Sequence, residues 1–347
     1  MMSVSEEQVR DALRSVRYPG FSRDIVSFGL VKNVQIDDGE VRVQLALATN
    51  DPNIPATIKA DAEKILRALN GVRAAKVLID IQAPPGGAGA SVGPARIPGI
   101  KHVIAVASGK GGVGKSTVAA NLAVALEQTK ARVGLCDCDI YGPSISLMFG
   151  TRERPTATDE NKIIPIEQYH LKLMSMGFLL DDTSPAILRG PMVTRYTQQF
   201  LRQVDWGALE FLVLDLPPGT GDIQLTIVQT VALSGAIIVT TPQEVALIDA
   251  RKAATMFEKV NVPVLGLIEN MSYFVSPSDQ KRYDIFGSGG GEREAKRLRV
   301  PLLGQIPIDI ATREAGDRGE PIVSHDRQSP VAVEFTKVAK RIREALP

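Results

Sequence analysis

Apolar and polar positions change their rhythm near residue 100. Before it, Leu30–Ile36 and Glu40–Ala48 alternate with the period of a half-buried strand and flank Asp37-Asp38-Gly39, a hairpin signal. Ser5, with Glu7 and Gln8 close behind, is placed to cap a helix running to about Val16. Pro55–Asn70 reads as a second helix ended by Gly71, and Ala75–Ile81 as a third strand. Helix, hairpin, helix and strand together predict a small α+β domain over residues 1–82. Residues 83–99, APPGGAGASVGPARIPG, read as a Pro/Gly linker.

From residue 100 to 347 the alternation gives way to unbroken apolar runs. Val103–Ala107, Arg132–Cys136, Leu209–Leu214, Gly235–Thr240, Val264–Ile268 and Leu302–Ile306 are the strand candidates. Thr117–Gln128, Met192–Val204, Val245–Val260, Glu292–Arg299 and Pro330–Leu346 carry helical periodicity. Strands without polar alternation, separated by amphipathic helices, predict a doubly wound, mostly parallel α/β sheet covered on both faces. Ligands of such sheets bind at the carboxyl ends of the strands.

At one such end the sequence reads Gly109-Lys110-Gly111-Gly112-Val113-Gly114-Lys115-Ser116-Thr117, a P-loop between strand and helix. Its glycines let backbone N–H groups turn toward phosphate oxygens, and the helix N-terminus adds a favourable dipole. Lys115 is expected at the β- and γ-phosphates of a nucleoside triphosphate, and the Ser116 hydroxyl on Mg²⁺. Cys136-Asp137-Cys138-Asp139 closes the second strand. Asp139 is expected to activate the attacking water, with Asp137 outer-sphere to the metal; solvated turn aspartates are the alternative. Phe211–Leu214 delivers Asp215 in a Walker B arrangement, followed by Leu-Pro-Pro-Gly-Thr-Gly-Asp222. Gly219 and Gly221 suit a loop that reshapes with the γ-phosphate.

Composition narrows the partners. Forty Lys and Arg against 39 Asp and Glu leave a net charge of +1, which supplies no electrostatic footprint for nucleic acid or an anionic membrane. The N-terminus has neither an apolar signal core nor an Arg-rich transit pattern, and no apolar stretch is long enough to span a bilayer. A cytoplasmic protein without nucleic-acid or membrane partners is the expectation. The C-terminal helix could lie on a membrane surface, but docking on its own domain is the favoured alternative. His102, His170 and His325 lack metal-ligand spacing.

Lys110 lies outside the basic P-loop pattern and is suited to reach a partner subunit's nucleotide across a two-fold axis; a solvated loop lysine is the alternative. With it the chain resembles the deviant Walker A ATPases, including nitrogenase iron protein, ParA and MinD, which form nucleotide-sandwich dimers. Ser108–Thr117, Asp139-Ile-Tyr-Gly-Pro-Ser144, Arg189-Gly-Pro-Met192, Val204-Asp-Trp-Gly207, Asp215–Asp222, Thr240-Thr-Pro-Gln243 and Glu269-Asn-Met-Ser-Tyr-Phe274 are similar, more narrowly, to the Mrp family. That resemblance spans nearly the whole chain, the small N-terminal domain included. It implies a homodimeric ATPase that uses ATP and Mg²⁺ to assemble or transfer iron–sulfur clusters, with scaffold or acceptor proteins as partners. It also implies that Asn270 recognises the adenine edge, helped by backbone near Pro307, although a strand-end Asn can serve only as a loop cap.

One family feature is absent. Mrp proteins carry Cys-Pro-x-Cys after the Glu-Asn-Met-Ser-Tyr-Phe run, two pairs per dimer for a bridging [4Fe–4S] cluster. Here Ser276 and Asp279 stand at those positions, and hard oxygen donors are poor partners for a soft cluster. Cys136 and Cys138, the only thiols, share one side of a strand and are expected to fill core space rather than ligate iron. The chain is therefore expected to bind a cluster weakly or not at all, and a nucleotide-switched adaptor that has lost cluster binding is the rival to a carrier.

Overall fold

The computed structural model describes residues 4–16, 24–26, 30–37, 39–47, 53–81, 94–158, 162–179, 197 and 199–347. They divide into two compact units, Met1–Val92 and Gly93–Pro347.

The first unit opens with α1 (Glu6–Leu13), capped by Ser5. The Gln8 N–H donates to Ser5 Oγ at 3.3 Å and the Ser5 N–H to Gln8 Oε1 at 2.9 Å, so two donors that the helix leaves unpaired are satisfied reciprocally. α1 ends before Val16, because residues 14 and 15 already turn. Strands β1 (Val31–Asp37) and β2 (Glu40–Leu47) form the antiparallel hairpin, and β3 (Ala74–Ile81) runs parallel to β2. Val41, Val43, Leu45 and Leu47 point to one face and are buried with Val9 and Leu13 of α1. Ile58, Ala62 and Leu66 of α2 (Asn53–Arg67) complete that core. Asp38 of the hairpin signal and residues 83–93 of the expected linker lie outside the described residues.

The second unit corrects the far end of that linker. Ala95 bridges to Val231, and Ile97 is buried, so residues 94–99 pack onto the α/β unit rather than standing free. The sheet is built from β4 (Ile100–Ala107), β5 (Val133–Asp137), β6 (Ile166–Gln168), β7 (Leu171–Met174), β8 (Leu209–Asp215), β9 (Gly235–Thr240), β10 (Val264–Glu269) and β11 (Leu302–Gln305). Their order is β11-β10-β9-β4-β8-β5-β7-β6, with every neighbour pair parallel except the edge pair β6–β7. The β6–β7 hairpin is invisible to the apolar pattern. Its strands are short, and its turn uses Tyr169 and His170 at φ 50° and 59°, where glycine or asparagine would have announced it.

Period-two alternation along β4 divides the core in two. Ile104 and Val106 face one side, packed with α3 (Lys115–Glu127) and α8 (Pro330–Ala345). Val103, Ala105 and Ala107 face the other. Other helices of the unit include α4 (Asp222–Thr230), α5 (Glu244–Lys259), α6 (Gly290–Leu298) and α7 (Ile310–Arg318). In α8, Val331, Phe335, Val338 and Ile342 are buried in their own unit, the arrangement of a docked terminal helix. Among the described residues no helix is long and apolar enough to cross a membrane. Of the helix expected over Met192–Val204, only Thr197 and residues from 199 onward are described; Phe200 and Leu201 there are buried.

Phe211, fully buried in β8, stacks on His102 with ring centroids 5.3 Å apart. Phe211→Ala removes an aromatic ring from the middle of the sheet, and a loss of about 3–5 kcal/mol in unfolding free energy is expected. Urea denaturation of the variant against the parent chain measures it.

Candidate functional site

β4, β5 and β8 end side by side, and the P-loop leaves β4 at that edge. Gly112 and Gly114 sit at φ 82° and 78°, in the left-handed region where only glycine is unstrained. Gly114 is also pinned from outside: a Cβ there would lie 2.2 Å from Asn270 Nδ2. A Cβ on Gly109 would meet the Asp249 carbonyl oxygen of α5 at 2.0 Å. A Cβ on Gly112 would meet nothing within 4 Å, so it is the left-handed backbone rather than crowding that requires glycine there. Lys110, half-buried, makes no ion pair or hydrogen bond through its ammonium with any described residue.

The charged groups converge on the ends of two neighbouring strands. Asp215 and Asp137 are direct register partners of β8 and β5, and both are buried. Lys115, also buried, donates through Nζ to Asp215 Oδ1 and lies 3.3 Å from Ser116 Oγ. Burial raises the Asp215 carboxyl above its ordinary value, although the Lys115 ammonium and the Ser116 hydroxyl pull the other way. Asp137 accepts at Oδ1 from the Asp139 N–H (3.0 Å) and at Oδ2 from Ser144 N–H (3.0 Å), Ile145 N–H (3.2 Å) and Ser175 Oγ (3.0 Å). Asp139 is half-buried at the mouth and accepts from the Gly142 N–H at 3.3 Å. Ser175, just beyond β7, was not indicated by any motif.

Two carboxylates and a hydroxyl are hard oxygen donors suited to a divalent cation, which would replace the Lys115 ammonium as the partner of Asp215. Asp215 Oδ2 is buried without a hydrogen-bond partner, the kind of orphan acceptor that a bound ion satisfies. The residues present therefore fit Mg²⁺.

Beside the loop lies a cavity of about 520 Å³, reached by Gly114 and Thr117 from the P-loop, Asn270 and Met271 from the end of β10, and Pro307 beyond β11. Ile306 and Phe286 contribute apolar walls. Asn270 is held by its Nδ2, which donates to the Val113 carbonyl at 2.8 Å. Its Oδ1 has no partner among the described residues.

The strand after Asn270 enters a small hairpin in which Phe274-Val275 pairs with Arg282-Tyr283. Ser276 and Asp279 occupy its tip and are committed to hydrogen bonds. Ser276 Oγ shares one with Ser278 Oγ at 2.9 Å. Asp279 accepts from the Lys281 N–H at 3.1 Å and from Tyr283 Oη at 2.9 Å, contacts that hold its carboxyl below the usual range. Cys136 and Cys138 are buried in the core, their sulfurs 3.9 Å apart. Hydrogen bonding to Cys136 and burial keep the Cys138 thiol well above its ordinary value, which disfavours the thiolate that iron requires. Among the described residues no group of three or more His, Cys, Asp or Glu could hold a metal ion. The thiolate set of a [4Fe–4S] cluster does not fit this chain.

The profile of the NUBPL iron-transfer P-loop NTPases matches residues 99–343, and that of the iron–sulfur cluster assembly proteins matches residues 6–79. An iron–sulfur cluster carrier protein of Synechocystis sp. is 44% identical over 347 residues, covering 98% of this chain and 97% of that protein. The iron–sulfur cluster transfer protein NUBPL of Mus musculus is 49% identical, covering 72% of this chain and 78% of its own length. Among solved structures, a nucleotide-binding protein of Archaeoglobus fulgidus in complex with ADP aligns with a TM-score of 0.61 and 38% identity, covering 70% of this chain and 94% of its own. The cell division ATPase MinD of Pyrococcus furiosus aligns with a TM-score of 0.55 and 25% identity, covering 71% and 99%.

Burial and the facing Asp215 charge push Asp137 up from 3.8 to about 7. The unfolded chain loses that proton first, so stability present below about pH 4 is lost as pH rises through about 7. The urea midpoint of the ligand-free chain is expected to fall between about pH 5 and about pH 7.5, and Asp137→Asn to flatten that fall. An undiminished pH slope in the variant contradicts the placement.

Proposed function

The chain belongs to the NUBPL/Mrp family of iron-transfer P-loop NTPases, and on that premise we propose that it is an ATP-hydrolysing iron–sulfur cluster carrier that works as a homodimer and serves scaffold or acceptor proteins. The observation that carries the catalytic part is the buried Lys115–Asp215 pair with its unpartnered Asp215 oxygen.

A triphosphate entering the loop gives Lys115 a better counter-charge, at the β- and γ-phosphates, and frees Asp215. Ser116, Asp215 and, through an outer contact, Asp137 would hold Mg²⁺, which supplies charge neutralisation at the phosphates. Residues 109–117 wrap the phosphates with backbone N–H groups. Asp139, less buried than Asp137 and beside the metal-holding carboxylates, orients the attacking water and takes up its proton. The unpartnered Lys110 reaches the partner's phosphates, which ties hydrolysis to dimer closure. In the adjoining cavity Asn270 Oδ1 accepts from the 6-amino group of adenine. Guanine presents an acceptor at that position, so ATP is expected to bind in preference to GTP. Pro307 and its neighbours supply the apolar face for the base.

The hairpin favours a second reading of the cargo side. With Ser276 and Asp279 hydrogen-bonded within the tip, and both cysteines buried, thiolates for a cluster would come from the scaffold or acceptor, and the chain would act as a nucleotide-switched adaptor between them.

Two substitutions separate binding from chemistry. Lys115→Ala is expected to weaken ATP binding by about 1.5–3 kcal/mol or more, measured by calorimetric titration of the folded variant. Asp139→Asn should keep ATP affinity and lower turnover by about 10²-fold. Retained turnover would move the water-orienting role elsewhere.

Iron content decides the cargo side. On the adaptor reading the parent chain, reconstituted anaerobically with iron and sulfide, holds no stable cluster, whereas a chain carrying Ser276→Cys and Asp279→Cys binds about four irons per dimer. Equal and firm iron binding by both proteins would contradict the adaptor reading and return Cys136 and Cys138 to consideration.

A further inference from the structure

Glu269, the last residue of β10, is fully buried and has no part in the phosphate or metal chemistry. Three donors from three different segments converge on its carboxylate. Ser272 Oγ donates to Oε1 at 2.6 Å and Gln305 Nε2 to the same oxygen at 2.8 Å. The Gly291 N–H, in the first turn of α6, donates to Oε2, where the helix dipole also favours negative charge. A Cβ on Gly291 would lie 2.8 Å from Oε2 and 2.9 Å from Glu269 Cβ, so this contact requires glycine.

What the carboxylate encloses is the turn that carries the base-cavity residues. Met271 sits at φ 54°, a left-handed conformation that costs a side-chain-bearing residue free energy and persists only where the surroundings over-determine it. Asn270 and Met271 both line the base cavity. The backbone bonds that flank them, Asn270 N–H to Thr240 O at 2.8 Å and Ser272 N–H to Ile306 O at 2.9 Å, fix the ends of the turn. Among the described residues, only the Glu269–Ser272 bond spans it from side to side.

We infer that Glu269 is a positioning residue for base recognition: by bonding Ser272, Gln305 and the start of α6 it holds the strained 270–271 turn so that Asn270 Oδ1 faces the cavity. This rests on the proposed role of Asn270. Glu269→Ala leaves two buried donors, Ser272 Oγ and the Gly291 N–H, and the half-buried Gln305 amide without their acceptor, and lets the turn relax. Glu269→Gln keeps an acceptor for Gly291, while its amide can donate to Ser272 Oγ and to a rotated Gln305 side chain.

The test uses the full chain with Mg²⁺ and measures the Kd of ATP and of GTP by competition against a fluorescent ADP analogue, which requires no turnover. Glu269→Ala is expected to weaken ATP by about tenfold and bring the ATP-to-GTP preference close to unity, with Glu269→Gln within about threefold of the parent. A purely structural role would lower the melting temperature and leave the preference intact, and that outcome overturns the inference. Should Glu269→Ala not fold, Ser272→Ala replaces it: a partial loss of preference supports the inference, and an unchanged preference overturns it. Asn270→Ala distinguishes the two levels. If it leaves the preference unchanged, the base-pocket reading itself fails; if it abolishes the preference while Glu269→Ala does not, only the role of Glu269 fails.

Discussion

Lys115 and Asp215 meet in a place from which water is excluded, and the rest of the α/β unit is arranged around that meeting. Taking both charges out of water costs more than a surface pair would, and leaving either one alone there costs about 3–5 kcal/mol. Asp215 reaches the spot because β8 is apolar on both faces and runs between β4 and β5. Lys115 reaches it because Gly112 and Gly114 turn the chain tightly enough to start α3 directly above the strand ends. Asp137, opposite Asp215 in register, adds a second carboxylate that the single ammonium cannot balance. The carboxylates thus outnumber the ammonium, and a divalent cation arriving with the proposed nucleotide is the charge that offsets the excess.

The cargo side follows a different logic. In the hairpin after Asn270, oxygen atoms stand at the positions where the resemblance to the Mrp family implies cysteines, and they are used as turn-forming groups. The hairpin keeps its shape through hydrogen bonds among Ser276, Ser278, Asp279, Lys281 and Tyr283, with Arg282 stacked 4.2 Å over the Tyr273 ring. The turn at Asn270 and Met271 that lines the cavity continues directly into this hairpin.

Much of this was legible in the sequence, for physical reasons that differ from place to place. Gly235–Thr240 was delimited to the residue because a fully buried strand tolerates no polar interruption. The P-loop could be read because its chemistry is local, each glycine serving a bond within a few residues. The β6–β7 hairpin was hidden by a non-glycine turn at Tyr169-His170. Residues 94–99 were read as linker because Pro and Gly outnumber the one side chain, Ile97, that docks them. The contacts of Asn270 with Val113 and of Glu269 with Gly291 and Gln305 join positions 157, 22 and 36 residues apart, and no periodicity in a single sequence encodes such pairings.

The central claim is that the buried ion pair is the resting partner of a site completed by a magnesium nucleotide. It is tested most directly by a crystal structure of the full chain with Mg²⁺ and a non-hydrolysable ATP analogue. In that complex Lys115 Nζ is expected to have left Asp215 for the β- and γ-phosphates, with Asp215 and Ser116 facing the metal and adenine in the cavity against Asn270. Nucleotide bound with Lys115 still on Asp215, or with its base outside that cavity, would contradict it.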